Sequence, residues 1–201
     1  MLFINKKLIK NKNDIILASK SPRRKEILKM IGLKFDVLPS SVNETMKIDL
    51  MGKSFPEHWS IEKANLISNQ YPDSLVIGAD TVVIYKDKIL GKPKNKNESK
   101  IMLEMLSGNV HEVITGMTLI LKNKQILKTF SQSTKIFVRE IPSYQIDYYI
   151  SNYNTLDKAG SYGIQEWFSV WIKKIDGCYY NVMGFPISKF YKQYLKIVNH
   201  F

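Results

Sequence analysis

Apolar and polar positions along this chain switch repeatedly between a strand-like and a helix-like period. The first ordered run is Ile15–Ala18, a short apolar stretch that reads as a buried strand. Ser19-Lys20-Ser21-Pro22 interrupts it, and a helix is expected from Pro22 to about Ile31. Ser21 suits the N-cap and Pro22 the first helical position, where a missing N–H does no harm. Ile27, Leu28 and Ile31 share one face of that helix, and Gly32 ends it. Phe35–Leu38 predicts a second strand, followed by an irregular stretch from Pro39 to Phe55.

Pro56 opens a further helix to about Gln70, with Trp59, Ala64, Leu66 and Ile67 turned toward a core. Leu75–Ile84 is apolar almost throughout and reads as a strand. Asp87 and Lys88 turn it into a second short strand that ends at Gly91-Lys92-Pro93. A helix over Asn97–Leu106 offers Ile101, Leu103 and Leu106 for packing. The stretch from Glu112 to Arg139 is β-rich, with Asn123-Lys124 marking a hairpin-like turn. Then come a short helix over Tyr144–Ile150, a polar loop from Asn152 to Gln165, strands through Val170–Ile175 and Tyr179–Val182, and a last helix from Pro186 to about Val198. Tyr144, Tyr148, Tyr149 and Tyr153 recur at helical spacing, the mark of a core stripe. Strands and helices alternate without a composition break, which predicts one mixed α/β domain over residues 15–201, preceded by a Lys- and Asn-rich extension, residues 1–14.

Composition narrows the function classes. Of 201 residues, 44% are hydrophobic and 24% charged, which excludes wholesale disorder. No apolar run approaches the roughly 18–20 residues that span a bilayer. The first 14 residues lack the apolar core and small-residue cleavage site of a signal peptide. A single cysteine, Cys178, rules out an intrachain disulfide and argues against a cysteine-built zinc cage. A cytoplasmic protein with no membrane partner is the expectation. The net charge of +12 raises the question of nucleic acid. The lysines are scattered, however, often beside Asn, as in Lys94-Asn95-Lys96-Asn97. That is a solvated surface, without the basic stripe and interleaved aromatics of a nucleic-acid interface.

Three places break the local rules, and such breaches are where function is sought. Arg23 and Arg24 sit in the opening turn of a helix, where the unpaired N–H groups and the macrodipole favour anions instead. A docked polyphosphate, with Ser19 and Ser21 as further donors, makes sense of them; so does simple exposure on a basic protein. Asp80 lies inside Leu75–Ile84, where a carboxylate faces a large desolvation penalty unless it meets a cation. A divalent metal is one such cation, and the alternative is a carboxylate facing solvent at the strand's end. The third is Leu156–Gln165, whose Gly160 and Gly163 allow backbone amides to turn toward a ligand, and whose Gln165 amide offers both donor and acceptor to a base edge. An ordinary structural loop explains that segment equally well. His58, His111 and His200 show no metal-ligand spacing, and Cys178 reads as a small buried hydrophobe in a strand.

Taken in order, several segments resemble the Maf family, also called septum formation inhibitor proteins. They are Leu17-Ala18-Ser19-Lys20-Ser21-Pro22-Arg23-Arg24, Ile77-Gly78-Ala79-Asp80-Thr81-Val82-Val83, Leu90-Gly91-Lys92-Pro93, Leu106-Ser107-Gly108 with His111, Asp157-Lys158-Ala159-Gly160 through Gly163-Ile164-Gln165, and Tyr180-Asn181-Val182-Met183-Gly184-Phe185-Pro186. The resemblance covers nearly the whole chain from Ile15 onward. It implies a Maf/ITPase-like α/β fold, a mixed twisted sheet flanked by helices with two lobes around a central cleft, often homodimeric. It implies a nucleotide pyrophosphatase dependent on Mg²⁺ or Mn²⁺, with Asp80 as the catalytic carboxylate and Glu44 helping to hold metal. Lys63 and Lys92 match basic positions that face phosphates. The combination of Arg23, Thr81 and Gln165 resembles the branch acting on dTTP and UTP, which implies clearance of modified uridine triphosphates before they enter nucleic acid. The sequence departs from the family at Asn152–Leu156, where a Gly-Glu-Pro-like turn is usual, at Asn43, and at Glu166-Trp167, which replaces a small residue. The rival expectation is a nucleic-acid-binding or cell-division regulatory protein without turnover.

Overall fold

The structure is a computed structural model that describes residues 14–43 and 50–199. Its strands are β1 (Ile15–Leu17), β2 (Asp36–Val37), β3 (Leu75–Tyr85), β4 (Lys88–Leu90), β5 (Val110–Leu121), β6 (Ile126–Val138) and β7 (Ile172–Asp176). Its α-helices are α1 (Pro22–Met30), α2 (Ser54–Ser68), α3 (Lys96–Leu106), α4 (Ser143–Asn152), α5 (Tyr179–Val182) and α6 (Ile187–Val198). The strands form one sheet in the order β2-β1-β3-β5-β6-β7, with β4 paired to β3. β1 runs parallel to β2 and to β3, while β3–β4 and β6–β7 are antiparallel. The sheet is therefore mixed, as expected.

The chain divides into two compact units. The first comprises Met1–Asp80, Thr115–Gln132 and Gly184–Phe201; the second comprises Thr81–Ile114 and Ser133–Met183. In the first unit, Ile16, Val76 and Ile120 from the strands and Ala18 just past β1 meet Ala64 and Ile67 of α2 in an apolar cluster. In the second, Leu103 and Leu106 of α3 and Ile146, Tyr149 and Ile150 of α4 pack with Val113, Ile136, Tyr162 and Phe168. Fully burying a Leu or Ile side chain contributes on the order of 2 kcal/mol, so each unit rests on its own apolar interior.

Most predicted elements are present within a residue or two. Tyr179–Val182 is a correction, because a helix of one turn stands where a strand was expected. Gly177, at φ 133°, turns the chain there, and the buried Asn181 side chain donates to Val113 O and to Thr134 Oγ1, both at 2.9 Å. That buried amide requires the turn, and its demand outweighs the strand propensity of the two tyrosines. Cys178 accordingly precedes a helix and is half-buried. The loop expected to end at Gln165 contains a 3₁₀ turn at Ala159–Ser161, and a second follows at Trp167–Trp171. Of the tyrosine stripe, Tyr149 is core, whereas Tyr144 and Tyr148 are exposed. No helix among the described residues is long and apolar enough to cross a membrane.

Candidate active site

Asp80 is set by the way α2 meets β3. Side chains two apart on a strand share a face, so Gly78 and Asp80 both look toward α2. A Cβ at Gly78 would lie 2.1 Å from Ser60 O and 2.9 Å from Ala64 Cβ, so only glycine lets the helix come this near. Gly116 of β5 does the same at the helix start, where a Cβ would stand 2.4 Å from the Pro56 carbonyl. Ser60 Oγ donates to Glu57 O at 2.7 Å and meets Thr118 Oγ1 of β5 at 2.7 Å, which pins the first turns of α2 to the sheet. One helical step beyond Ser60, Lys63 Nζ then reaches Asp80 Oδ1 at 2.7 Å. Their side chains are only 10% and 11% exposed. The desolvation penalty anticipated for Asp80 is thus met, within the protein, by a buried ammonium.

The opening of α1 lies in the same unit. Ser21 caps the helix, its Oγ accepting from Arg24 N at 3.4 Å. Arg24 is buried, and its guanidinium turns back onto backbone acceptors: Nε donates to Gly184 O at 2.9 Å and Nη1 to Ala79 O at 2.8 Å. Nη1 also donates to Ser19 Oγ at 3.0 Å, which in turn accepts from Ser21 N at 3.2 Å. Arg24 holds the carbonyl of the residue just before Asp80. That is a structural anchorage the sequence did not reveal. Arg23, at the neighbouring position, is half-buried.

The remaining sequence-predicted residues belong to the second unit. Thr81, half-buried, follows Asp80 in β3 and points to the opposite face of the strand. Lys92 is exposed just after β4, beside Gly91, whose carbonyl accepts from Gly160 N at 3.1 Å. Gly160 has φ 65°, and a Cβ there would press within 2.9 Å of the Val83 side chain, so this loop lies directly on β3. Gln165 is exposed. Behind it lies a set of charged groups whose pairing the sequence did not reveal. Lys158, 5% exposed, bridges Asp157 Oδ1 at 2.7 Å and Glu166 Oε1 at 3.0 Å and donates to Asn154 O. The signal was present, because a Lys followed eight residues later by Glu flanks both glycines, but nothing in the spacing showed that the lysine is buried. His111 is also buried, its Nε2 2.7 Å from Tyr162 Oη, and burial lowers its pKa to about 4.

The structure thus brings Lys63 to Asp80, and Ser19 and Ser21 to Arg24. Glu44 lies outside the described residues. Among the described residues no three His, Cys, Asp or Glu side chains cluster in a way that could hold a metal ion. A hard cation such as Mg²⁺ is commonly held by one or two carboxylates together with substrate phosphates rather than by an all-protein cage. One buried carboxylate, with a single oxygen engaged by Lys63 Nζ, fits that mode.

The chain belongs to the Maf-like protein family, whose profile spans residues 14–197. A relative from Cytophaga hutchinsonii, named dTTP/UTP pyrophosphatase, is 43% identical over 187 residues, covering 92% of this chain and 85% of that protein. Relatives of the same name from Bacillus anthracis and Bacillus cereus are each 43% identical, over 89% and 91% of this chain and 93% and 89% of their own lengths. The solved structure of the Staphylococcus aureus Ham1 protein aligns with a TM-score of 0.46 at 14% identity, over 62% of this chain and 71% of that one.

Proposed function

We propose that this chain is a nucleoside triphosphate pyrophosphatase that hydrolyses dTTP and UTP to the monophosphate and pyrophosphate. The observation that carries the proposal is the buried Asp80–Lys63 pair at 2.7 Å in an otherwise apolar strand. The name shared by the relatives from Cytophaga and Bacillus supports the substrate class.

In this reading Asp80 orients a water molecule and accepts its proton as the water oxygen attacks the α-phosphorus. The bond from that phosphorus to the α,β-bridging oxygen breaks, and pyrophosphate leaves with the electron pair. Lys63 holds the Asp80 carboxylate in place through a charge-assisted hydrogen bond. Asp80 and Glu44, together with the substrate's own phosphates, would hold a divalent cation, Mg²⁺ or Mn²⁺, which would supply charge neutralisation on the triphosphate. Arg23, Lys92 and the hydroxyls of Ser19 and Ser21 serve the phosphates. Arg24 serves them indirectly, by fixing the backbone at Ala79. Thr81 and Gln165 recognise the base, the glutamine amide answering the O4 acceptor and N3–H donor shared by thymine and uracil. Modified uridine triphosphates present the same edge, and their removal before incorporation is the cellular task proposed. A cytoplasmic homodimer completes the reading.

The test is incubation of the purified chain with a panel of nucleoside triphosphates and Mg²⁺ or Mn²⁺, with products identified. Monophosphate plus pyrophosphate from dTTP or UTP is expected. Asp80→Asn should retain the native circular dichroism spectrum and lose about 10²–10⁴-fold in turnover, the usual contribution of a positioned general base. Near-wild-type activity in that variant would remove Asp80 from the mechanism. Nucleic-acid binding without turnover would favour the regulatory alternative.

A further inference from the structure

The exposed Gln165 stands on a turn whose two ends are held by one phenol. Gly163 O accepts from Glu166 N at 3.2 Å, which closes a four-residue turn with Ile164 and Gln165 at its centre. Ile164 is buried in the core and Gln165 is exposed, so the turn has one rooted and one presented residue. Tyr149 Oη accepts from Gly163 N at 3.1 Å and donates to Glu166 Oε2 at 2.9 Å. A single hydroxyl therefore uses an acceptor site on one end of the turn and its only proton on the other. The second carboxylate oxygen, Glu166 Oε1, is taken by Lys158 Nζ at 3.0 Å. A Cβ on Gly163 would stand 3.0 Å from both carboxylate oxygens, so the carboxylate lies flat against that glycine.

The clamp is itself rigid. Tyr149 is 1% exposed, and its ring packs in a three-ring cluster with Tyr153 at 5.0 Å and Trp167 at 5.8 Å, which are 6.5 Å from each other. Such rings have little freedom to follow a moving turn. An exposed glutamine on a loose turn would lose orientation entropy whenever its amide had to meet a ligand. Uracil and thymine present an acceptor where cytosine presents an amine, so discrimination depends on which end of the amide faces the base.

We propose that Tyr149 and Glu166 are positioning residues that fix the Gly163–Glu166 turn and, through Gln165, set the preference for dTTP and UTP over CTP. This rests on the reading of Gln165 as the base-recognising residue. CTP carries the same triphosphate, so it isolates the base.

The experiment measures kcat and KM for UTP, dTTP and CTP in the full chain and in Tyr149→Phe, Glu166→Gln, Glu166→Ala and Gln165→Ala, with thermal midpoints alongside. Tyr149→Phe keeps the stacked ring and removes only the hydroxyl. It should raise KM for UTP and dTTP about tenfold, leave kcat within about twofold, and erode the preference over CTP by a similar factor, since orphaning a buried N–H is worth that much. Glu166→Gln retains an acceptor for the phenol and should show a smaller effect than Glu166→Ala. A merely structural role would instead lower kcat and the thermal midpoint together, for all three nucleotides. If Gln165→Ala erodes selectivity while Tyr149→Phe and Glu166→Ala do not, the clamp is overturned and the base-reading role stands. If Gln165→Ala leaves selectivity unchanged, the base-reading role falls and the clamp with it. Should Tyr149→Phe not fold, the Glu166 pair, on a half-buried side chain, decides the question alone.

Discussion

The two units use buried charge in opposite ways. In the first, the charged pair is itself the group proposed to act: Asp80 and Lys63 meet directly, and the helix carrying the lysine is held against the strand by Gly78 and Gly116. In the second, the charged pair supports the group proposed to act, because the Lys158–Glu166 bridge braces the end of a turn that presents Gln165. The contrast follows from the tasks proposed. A carboxylate that handles a proton gains from a low-dielectric setting, where each electrostatic contact is stronger. An amide that recognises an edge must be reachable, so only its support is buried.

The contrast can be broken most forcefully at Lys63. Lys63→Met leaves a buried carboxylate without its partner and should destabilise the metal-free chain by about 3–5 kcal/mol in urea unfolding. Asp80→Asn added to it should restore most of that loss. If the double variant is no more stable than Lys63→Met alone, the pair is not what binds α2 to β3 electrostatically. Gly78→Ala follows, at about 3 kcal/mol, because a methyl 2.1 Å from a backbone carbonyl forces α2 away and takes Lys63 with it. Turnover should fall in the same variant, and full activity there would uncouple helix placement from catalysis.

In the second unit the corresponding lever is pH. His111 has its pKa lowered by burial from 6.5 to about 4, so between those values the unfolded chain binds more protons than the folded one. Stability is therefore fully present above pH 6.5 and is lost as pH falls toward 4. About 2 kcal/mol should disappear between pH 7.5 and 5, read by denaturant titration, and His111→Gln should flatten that slope. The smallest effect is expected at the surface pair of Lys100 and Asp147, whose side chains are 36% and 53% exposed. Lys100→Gln should leave the thermal midpoint unchanged within error, as solvent-exposed ion pairs generally do.

Local grammar made much of this legible beforehand. Ser21 and Pro22 carry the cap chemistry of α1 in their own side chains, and Asp80 stood out because its setting in Leu75–Ile84 is apolar on both sides. What could not be read was anything decided by contact across the chain. Arg23 and Arg24 look alike in sequence, yet Arg24 is consumed by three acceptors, two of them from residues 55 and 160 positions away. The resemblance marked Lys63 as a phosphate-facing position but gave no sign of its pairing with Asp80, 17 residues on, which is chosen by the closeness that Gly78 permits. Tyr179–Val182 was mistaken for a strand because Asn181, the residue that decides its shape, acts through Val113 and Thr134. Tyr149, Lys158 and Glu166 are conspicuous only once the turn they hold is seen.

The hydrogen bond from Arg24 Nε to Gly184 O joins residues 160 apart. On a ribosome adding about 5–20 residues each second, the arginine emerges well before its acceptor, by roughly 8–30 seconds. Throughout that interval the guanidinium has no Gly184 carbonyl to meet, and the backbone at Ala79 lacks one side of its anchorage. Contacts of such long range also fold slowly. A nascent chain released short of residue 184 would carry Asp80 and Lys63 yet lack that tether, so the Arg24 anchorage beside Asp80 is completed only once Gly184 has been made.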